Sequence, residues 1–422
     1  MTGRLYTTGL KPALTYSFFT LALIVTPQAL SVEHDFSGLI DSRFTYTDSD
    51  RSYLEAGYGK FATSDDYAWQ LAELGLRYRI SEDAWSATVI ANGYAGGVKD
   101  KLGITEAFVR YRGLPDEQGL RWQFRGGILY PSISMENIAT AWSSPYTLNY
   151  STQNTWIGEE VRHLGLEARM DLLGKPRQSD LDISLALSVF EKNDPTGALL
   201  SWHGWTMSSR QSIWGETIRI PNFPALAPGQ PLEQQARYSD PHLELDDEPG
   251  YHMRLDLNWS RTLKLRLGYY DNRASDDIVV DGQYTWRTQF THLGLDWRIN
   301  KSWRLIAQHM QGDTRMRVAN NVDAVGVDFY NSFLLATYRN NAHRFTIRGE
   351  RFSNDEFDEV PGDNNDEEGY GLTLSYQYQL TKGLFLATEV NRIWSTRPSR
   401  SYLSEPVDKT ESEWHLGLRY FF

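Results

Sequence analysis

The sequence predicts an all-β protein, a single transmembrane antiparallel β-barrel of 16 strands. Three observations predict it. Segments of alternating apolar and polar residues recur sixteen times, the gaps between them run long, short, long, short, and the last segment, 414–422, ends on the C-terminal Phe422. Long loops on one rim, short turns on the other and an even strand number are the pattern of barrels that span an outer membrane.

Composition agrees with this. Mean hydropathy is −0.50, and past the N-terminus no apolar run reaches the roughly 20 residues of a transmembrane helix. A barrel needs none, because only alternate residues of each strand meet lipid. Aromatic residues make up 13% of the chain, with 14 Trp and 24 Tyr, which suits two membrane interfaces. With no Cys, disulfides, thiolate chemistry and cysteine metal sites are excluded, and passage through an oxidising periplasm carries no stray thiol.

Residues 1–31 read as a cleaved secretory signal. Arg4 and Lys11 supply positive charge, 13–25 is mostly apolar, and Ala29-Leu30-Ser31 offers small residues at −3 and −1. A membrane anchor would need a longer apolar run without a cleavage pattern. Cleavage after Ser31 leaves 32–422 as the barrel, and loss of the two basic residues takes the net charge from −12 to −14.

The strands follow in order. In the first, 36–47, Phe36, Gly38, Ile40, Phe44 and Tyr46 share one face, and Ser37, Asp41, Arg43 and Thr45 the other. Leu74, Leu76, Tyr78 and Ile80 then alternate with Glu73, Gly75, Arg77 and Arg79. Leu120, Trp122 and Phe124 alternate with Arg121, Gln123 and Arg125, and Leu185, Leu187 and Val189 with Ser184 and Ser188. The pattern continues at 251–259, 263–269, 345–348, 372–378 and 414–422, whereas 325–339 and 384–393 alternate poorly and leave their register open.

Short joints fall at 81–83, 113–118, 173–179, 260–262, 301–302, 340–342 and 381–383, and long ones at 48–66, 95–103, 131–158, 191–249, 273–285, 312–324, 353–369 and 395–411. The short set is expected to face the periplasm and the long set the outside. Tyr78, Trp85, Tyr111, Trp122, Trp259, Trp297, Trp303, Tyr378 and Tyr420 all lie beside short turns, where an aromatic girdle belongs. A soluble sandwich needs no such ring at one level, and a solenoid would show a fixed repeat length.

The two faces differ in charge. Arg43, Arg77, Arg110, Arg121, Arg125, Arg169, Arg254, Arg266, Arg304, Arg344 and Arg348 have lumenal parity and form the predicted pore lining, alongside Arg79, Arg112, Lys264, Arg298 and Arg419. Asp41, Glu73, Glu106, Glu167, Asp171, Asp182, Asp256, Asp296, Glu350 and Glu389 oppose them. Basic groups outnumber acidic ones on this face of an acidic protein, so the lumen is expected to focus its field on permeating anions. The competing reading is that these rows pair with each other and brace the wall.

Loops add two candidates. Asp363, Asp366 and Glu368 in the acidic loop 353–369 carry oxygen ligands for Ca²⁺ or Mg²⁺, but without EF-hand order a solvated loop is the better expectation. Loop 191–249 is long enough to cap the mouth, and Trp202, Trp205 and Trp214 point to a folded segment. Enzymatic motifs are missing: no His is followed by x-Ser, and GxSxG, HExxH and P-loop patterns do not occur. His252 and Asp256 share lumenal parity but sit low in their strand for a rim-type protease site. No enzyme activity, cofactor or nucleic-acid partner is expected.

The plan resembles bacterial outer-membrane porins, specifically the sixteen-stranded group that includes the phosphate-selective porins O and P. The aromatic end Tyr420-Phe421-Phe422, on alternating Trp414, Leu416 and Leu418, is similar to the signal read by the barrel-assembly machinery. Segments 125–131 and 156–160 are similar to parts of an uncharacterised porin-like family. The resemblance implies a passive channel for small hydrophilic solutes, a homotrimer, and contact with outer-membrane lipid and lipopolysaccharide. It also implies that the third long loop, 131–157, folds inward and narrows the pore through Glu136, Trp142, Tyr146 and Trp156. With ten Lys only, and acids interleaved among the Arg, moderate anion preference is expected rather than phosphate specificity. The alternative is a barrel plugged by its loops, acting as receptor, adhesin or structural protein.

Overall fold

The computed structural model describes residues 32–49, 51–64, 67–275, 277–318, 322–358 and 360–422; the signal segment 1–31 lies outside them. Sixteen strands close into one antiparallel barrel. They are β1 (Glu33–Thr47), β2 (Tyr67–Glu82), β3 (Trp85–Ala95), β4 (Lys101–Arg112), β5 (Leu120–Leu129), β6 (His163–Leu172), β7 (Leu181–Glu191) and β8 (Gly250–Trp259). The second half is β9 (Leu263–Asp271), β10 (Arg287–Arg298), β11 (Trp303–Val318), β12 (Val322–Asn340), β13 (His343–Glu356), β14 (Glu367–Thr381), β15 (Leu384–Thr396) and β16 (Asp408–Phe421). Each strand pairs with the next, and β16 pairs with β1 from Leu39↔Phe421 to Thr47↔Glu413. Phe422 finishes the seam: its backbone N–H and C=O bond Gly38 at 3.1 and 3.0 Å. Closure leaves no strand edge unsatisfied in lipid.

Alternation sends the apolar set outward. Leu185, Leu187 and Val189 of β7, and Leu416 and Leu418 of β16, are exposed on the outer surface, while Ser184, Ser188, His415 and Arg419 between them are buried inside. In β2 a bulge at Leu71/Leu74 swaps the parity, so that Trp69 above it and Tyr78 below it both face out. At the short-turn rim Trp85 packs on Tyr111 (5.0 Å) and Trp303 on Tyr338 (4.8 Å), and Tyr78, Trp122, Trp259, Trp297 and Tyr420 are exposed beside them. A second aromatic level, with Tyr46, Tyr67, Trp69, Tyr370, Trp394 and Trp414, marks the long-loop side of the apolar belt.

One expected long loop is corrected. Residues 312–324 are strand for the most part, because β11 continues to Val318 and β12 begins at Val322. Polar residues such as Asp313, Arg315 and Asp328 hide this hairpin from an apolar-alternation reading. Above the belt, neither face of a strand needs to be apolar.

The lumen as candidate functional site

Two inward-folded segments fill much of the lumen, and the tip of the first, at Tyr146, reaches Arg304 and Arg344 at the short-turn ends of β11 and β13. Every residue of 146–162, and every residue of 193–212, is buried. The first contains α1 (Thr152–Glu160), capped by the Ser151 hydroxyl, which accepts from the Asn154 N–H at 3.2 Å. The second contains α2 (Ala198–His203). A helix buried on every side lines no water-filled passage along its length; α1 is part of a plug.

The plug has its own core. Trp156 meets Trp205 at 5.9 Å, Phe290 of β10 at 5.5 Å and Phe329 of β12 at 5.3 Å, and Trp202 stands edge-on to Trp286 at 4.9 Å. Tyr53 and Phe61 of the first long loop, Met310, Phe352 and Ile393 join the same cluster. A smaller cluster of Met135, Tyr146, Ile306, Phe333 and Leu335 lies closer to the short turns. These contacts settle the two open registers. Phe329, Phe333 and Leu335 of β12, and Ile393 of β15, point inward onto plug residues, and Ala387 of β15 is buried. Loop 131–157 crosses the lumen so closely that a Cβ on Gly75 would come within 2.5 Å of Ala141, and one on Gly294 within 2.7 Å of Met135.

Seven of the eleven predicted pore-lining arginines touch this loop. Arg43 donates to Asp41 at 2.8 and 2.9 Å, to the Asn149 side chain at 3.0 Å and to the Leu148 carbonyl at 2.9 Å. Arg348 donates to Glu350 and Glu136, both at 2.6 Å, and to the carbonyls of Asn149 and Tyr150. Arg125 reaches Tyr130 and Ser132, Arg254 reaches the Ser132 carbonyl, and Arg266 those of Ile133 and Ser134. Arg344 donates to the Pro145 carbonyl, and with Arg304 it flanks the Tyr146 ring at 5.6 and 5.7 Å. Arg419, ion-paired with Asp41, donates to the carbonyls of Ser144 and Thr147. Carboxylates complete the clamp: Glu389 accepts the Leu148 and Asn149 N–H groups at 2.5 and 2.8 Å, and Glu350 that of Thr152 at 2.7 Å. Burial in low dielectric makes each such charge-assisted bond strong and each unpaired charge costly. The four constriction candidates all sit here, with Glu136 bonded to Arg348, Trp142 stacked on Tyr130 at 4.4 Å, and Tyr146 and Trp156 buried.

Along β2 and β4–β6, near their short turns, the lumen is wetter. Arg77 pairs with Asp35 across β1 and β2 with about a third of its side chain exposed; Arg121 and Arg169 share Asp171. Arg110 sits directly opposite Arg125 across β4 and β5, and lines a small cavity with Gln123, Ser132, Glu167, Arg169 and Arg254. These groups bind wall to wall or face solvent, and among them Arg125, Arg254 and Ser132 connect the cavity to the clamp.

Sequence reasoning missed charged groups carried by the loops. Lys60 pairs with Glu367, which also takes Arg397 at 3.3 Å, and burial pushes the Lys60 ammonium down to about 8. Tyr53 donates to Glu159 at 2.5 Å, and burial pushes the Glu159 carboxyl up to about 8 and that of Glu160 to about 7. Their only sequence signal was the aromatic content of the loops. The three suggested cation ligands do not converge: Asp363 is buried against Trp202, with burial pushing it up to about 7, whereas Glu368 is exposed on β14. Asp194, Glu244 and Asp246 in loop 191–249 do approach one another within 4.8 Å. His252 meets His292 at 2.9 Å, not Asp256, whose partners are Arg254 and Arg266.

No family model and no curated protein sequence matches the chain. Among solved structures, an anion-selective porin from Comamonas acidovorans superposes with a TM-score of 0.52 at 12% identity, covering 93% of this chain and 100% of that one. The trimer form of OmpT, an outer membrane protein of Vibrio cholerae, gives 0.51 at 8% identity, with 93% and 100% covered. At such identities the likeness is one of fold. What this chain shares with them is the fold, a closed barrel of antiparallel strands.

Proposed function

We propose that this barrel is a port for small hydrophilic solutes, with moderate anion preference, whose resting state is closed by its third and fourth long loops. The observation that carries this is the clamp: arginines placed to line a pore spend their donors on the carbonyls of 131–157. The contacts are polar and reversible, in contrast to the apolar packing around Trp156, so the loop tip at 144–147 is the part able to leave without unfolding the plug core. Assembly as a homotrimer, contact with lipopolysaccharide and recognition of Phe422 by the assembly machinery belong to the same proposal. The second reading, a receptor, adhesin or structural barrel that never opens, is favoured by the complete burial of α1.

Planar-bilayer recording across a KCl gradient separates the two. The port reading expects rare, small openings in the native protein and a frequent, Cl⁻-preferring conductance in Arg344→Ala/Arg419→Ala, which frees the tip. A steady wide-pore current in the native protein would sink the closed-rest reading. Silence from the folded double variant would favour the barrel that never opens.

A further inference from the structure

The outward wall of the barrel is not uniform. On β7–β9 it is apolar between the two aromatic levels, with Leu185, Leu187, Met253, Leu265 and Leu267 exposed. On β10–β13 the same band carries Thr291, His309, Ser332 and Arg351, one on each strand, with Ala307, Ala336 and Gly349 beneath them. Their strand neighbours His292, Met310, Asn331 and Phe352 are buried inside, so this set faces out. His309, Ser332 and Arg351 stand side by side in register, and the His309 ring meets the Ser332 hydroxyl at 2.7 Å. His309 and Ser332 lie six residues up-strand from the girdle residues Trp303 and Tyr338. That is about 20 Å along the strand, or about 15 Å along the membrane normal at the usual tilt, within an apolar band about 25 Å tall. Polar side chains at that depth are costly against hydrocarbon, and small ones let a second wall approach closely.

Toward the long loops the charges of this face separate into two edges. Arg287 and Arg315 lie directly opposite each other on β10 and β11, as do Asp328 and Asp355 on β12 and β13. Like charges so placed oppose the sheet that holds them. Arg287 has Asp271 at 3.4 Å, and Asp313, bonded to Gln289 at 2.9 Å, stands between the edges opposite Asp328. Arg351 lies over the Tyr330 and Tyr370 rings at 5.6 and 5.7 Å and has no ion pair among the described residues. Rotation about an axis along the membrane normal sets the β10–β11 edge of one copy against the β12–β13 edge of another, basic against acidic. Lipid chains would answer neither the edges nor the polar strip.

We propose that the outward face of β10–β13 is the surface on which a second copy of this chain docks, covering the strip at His309 and Ser332 and setting the Arg287–Arg315 edge of one copy against the Asp328–Asp355 edge of the other. The proposal rests on the assembly reading given above and adds the face. A chain without Cys makes the test direct. Single-cysteine variants of the folded full-length barrel, in vesicles of outer-membrane lipid, are treated with a short bismaleimide, and the mass of the assembly is read separately by light scattering in detergent. Ala307→Cys and Ser332→Cys should link into a band of twice the chain mass, whereas Val89→Cys on β3 and Leu187→Cys on β7 should stay unlinked. Asp328→Arg should weaken association at least tenfold, and Arg315→Asp in the same chain should restore it, a rescue that a misfolded variant does not show. A monomeric mass would overturn both the face and the assembly reading. A mass above one chain without links at Ala307→Cys and Ser332→Cys would overturn the face and leave assembly standing. Links from Ala307→Cys to a different protein, when the reaction is repeated in native outer membranes, would overturn the second copy as occupant.

Discussion

The two halves of the lumen obey different physics. Toward the short turns, wall arginines such as Arg77 and Arg169 keep a third of their side chains exposed and pair along the wall. Where loop 131–157 crosses the lumen, Arg43 and Arg348 are buried and bonded to a folded insert. The same residue type, at the same parity, lines an aqueous vestibule in one half and clamps a plug in the other. What differs is the partner across the lumen, water or protein, and that partner also decides what a substitution costs.

The largest expected contrast is therefore between equivalent arginines. Arg348→Ala leaves Glu136 and Glu350 buried without their cation, a loss of about 3–5 kcal/mol by the usual cost of breaking a buried pair. The loop should detach while the wall persists, so hydrogen exchange within 146–162 should rise sharply and conductance appear, with the barrel still heat-modifiable on gels. If exchange there stays slow, the clamp is not what holds the plug.

Trp156→Ala attacks the other bond between plug and wall. Removing a buried indole costs about 3–5 kcal/mol, but the collapse of Phe290, Phe329 and Trp205 into the space should lower the net effect toward the small end. Loss of near-ultraviolet dichroism at unchanged far-ultraviolet signal is the expected outcome. A variant as ordered as the native protein would mean that the aromatic cluster is incidental to the upper half.

The contrast between halves explains what was legible in the sequence. Strand number, turn positions and the aromatic girdle could be read because lipid on one side and water on the other impose a period of two. Where the lumen is protein, that rule lapses. In β12 both faces are apolar, Leu334 outward and Phe329, Phe333 and Leu335 inward, so no register could be assigned to 325–339. Arg43 and Arg348, at lumenal parity, lie inside the barrel, but parity cannot say whether a guanidinium meets water or the Leu148 carbonyl. The clues to the plug were the tryptophans of 191–249 and the polar, aromatic stretch 131–157. The buried first long loop, with Tyr53, Tyr58 and Phe61, gave no periodic signal at all.

Acidity tunes the upper half more gently. Burial raises the Glu159 carboxyl to about 8 and Glu160 to about 7, above their value in an unfolded chain. Their neutral forms therefore support the closed plug in full below about pH 4.5, and that support is lost as pH rises through about 7 and 8. Opening frequency, or exchange in α1, should increase between pH 5 and pH 9, and Glu159→Gln should flatten the rise. A rise in opening toward acid instead would place the titrating groups elsewhere.

The smallest effect is also the one whose sign separates the two halves. Arg110 faces Arg125 directly across β4 and β5, a like-charge pair that destabilises a sheet by about 0.2–1 kcal/mol, softened here by Glu167, which pairs with Arg125 at 2.8 Å. Nothing in the plug depends on Arg110, so Arg110→Ala should leave stability unchanged or raise it slightly. It should also move the reversal potential of any open state away from Cl⁻ preference, since it removes a cation from an aqueous vestibule with low-dielectric walls. Arg348→Ala is expected to do the reverse, costing stability and granting conductance. If the two variants behaved alike, the division of the lumen into a wet vestibule and a clamped plug would have no energetic content.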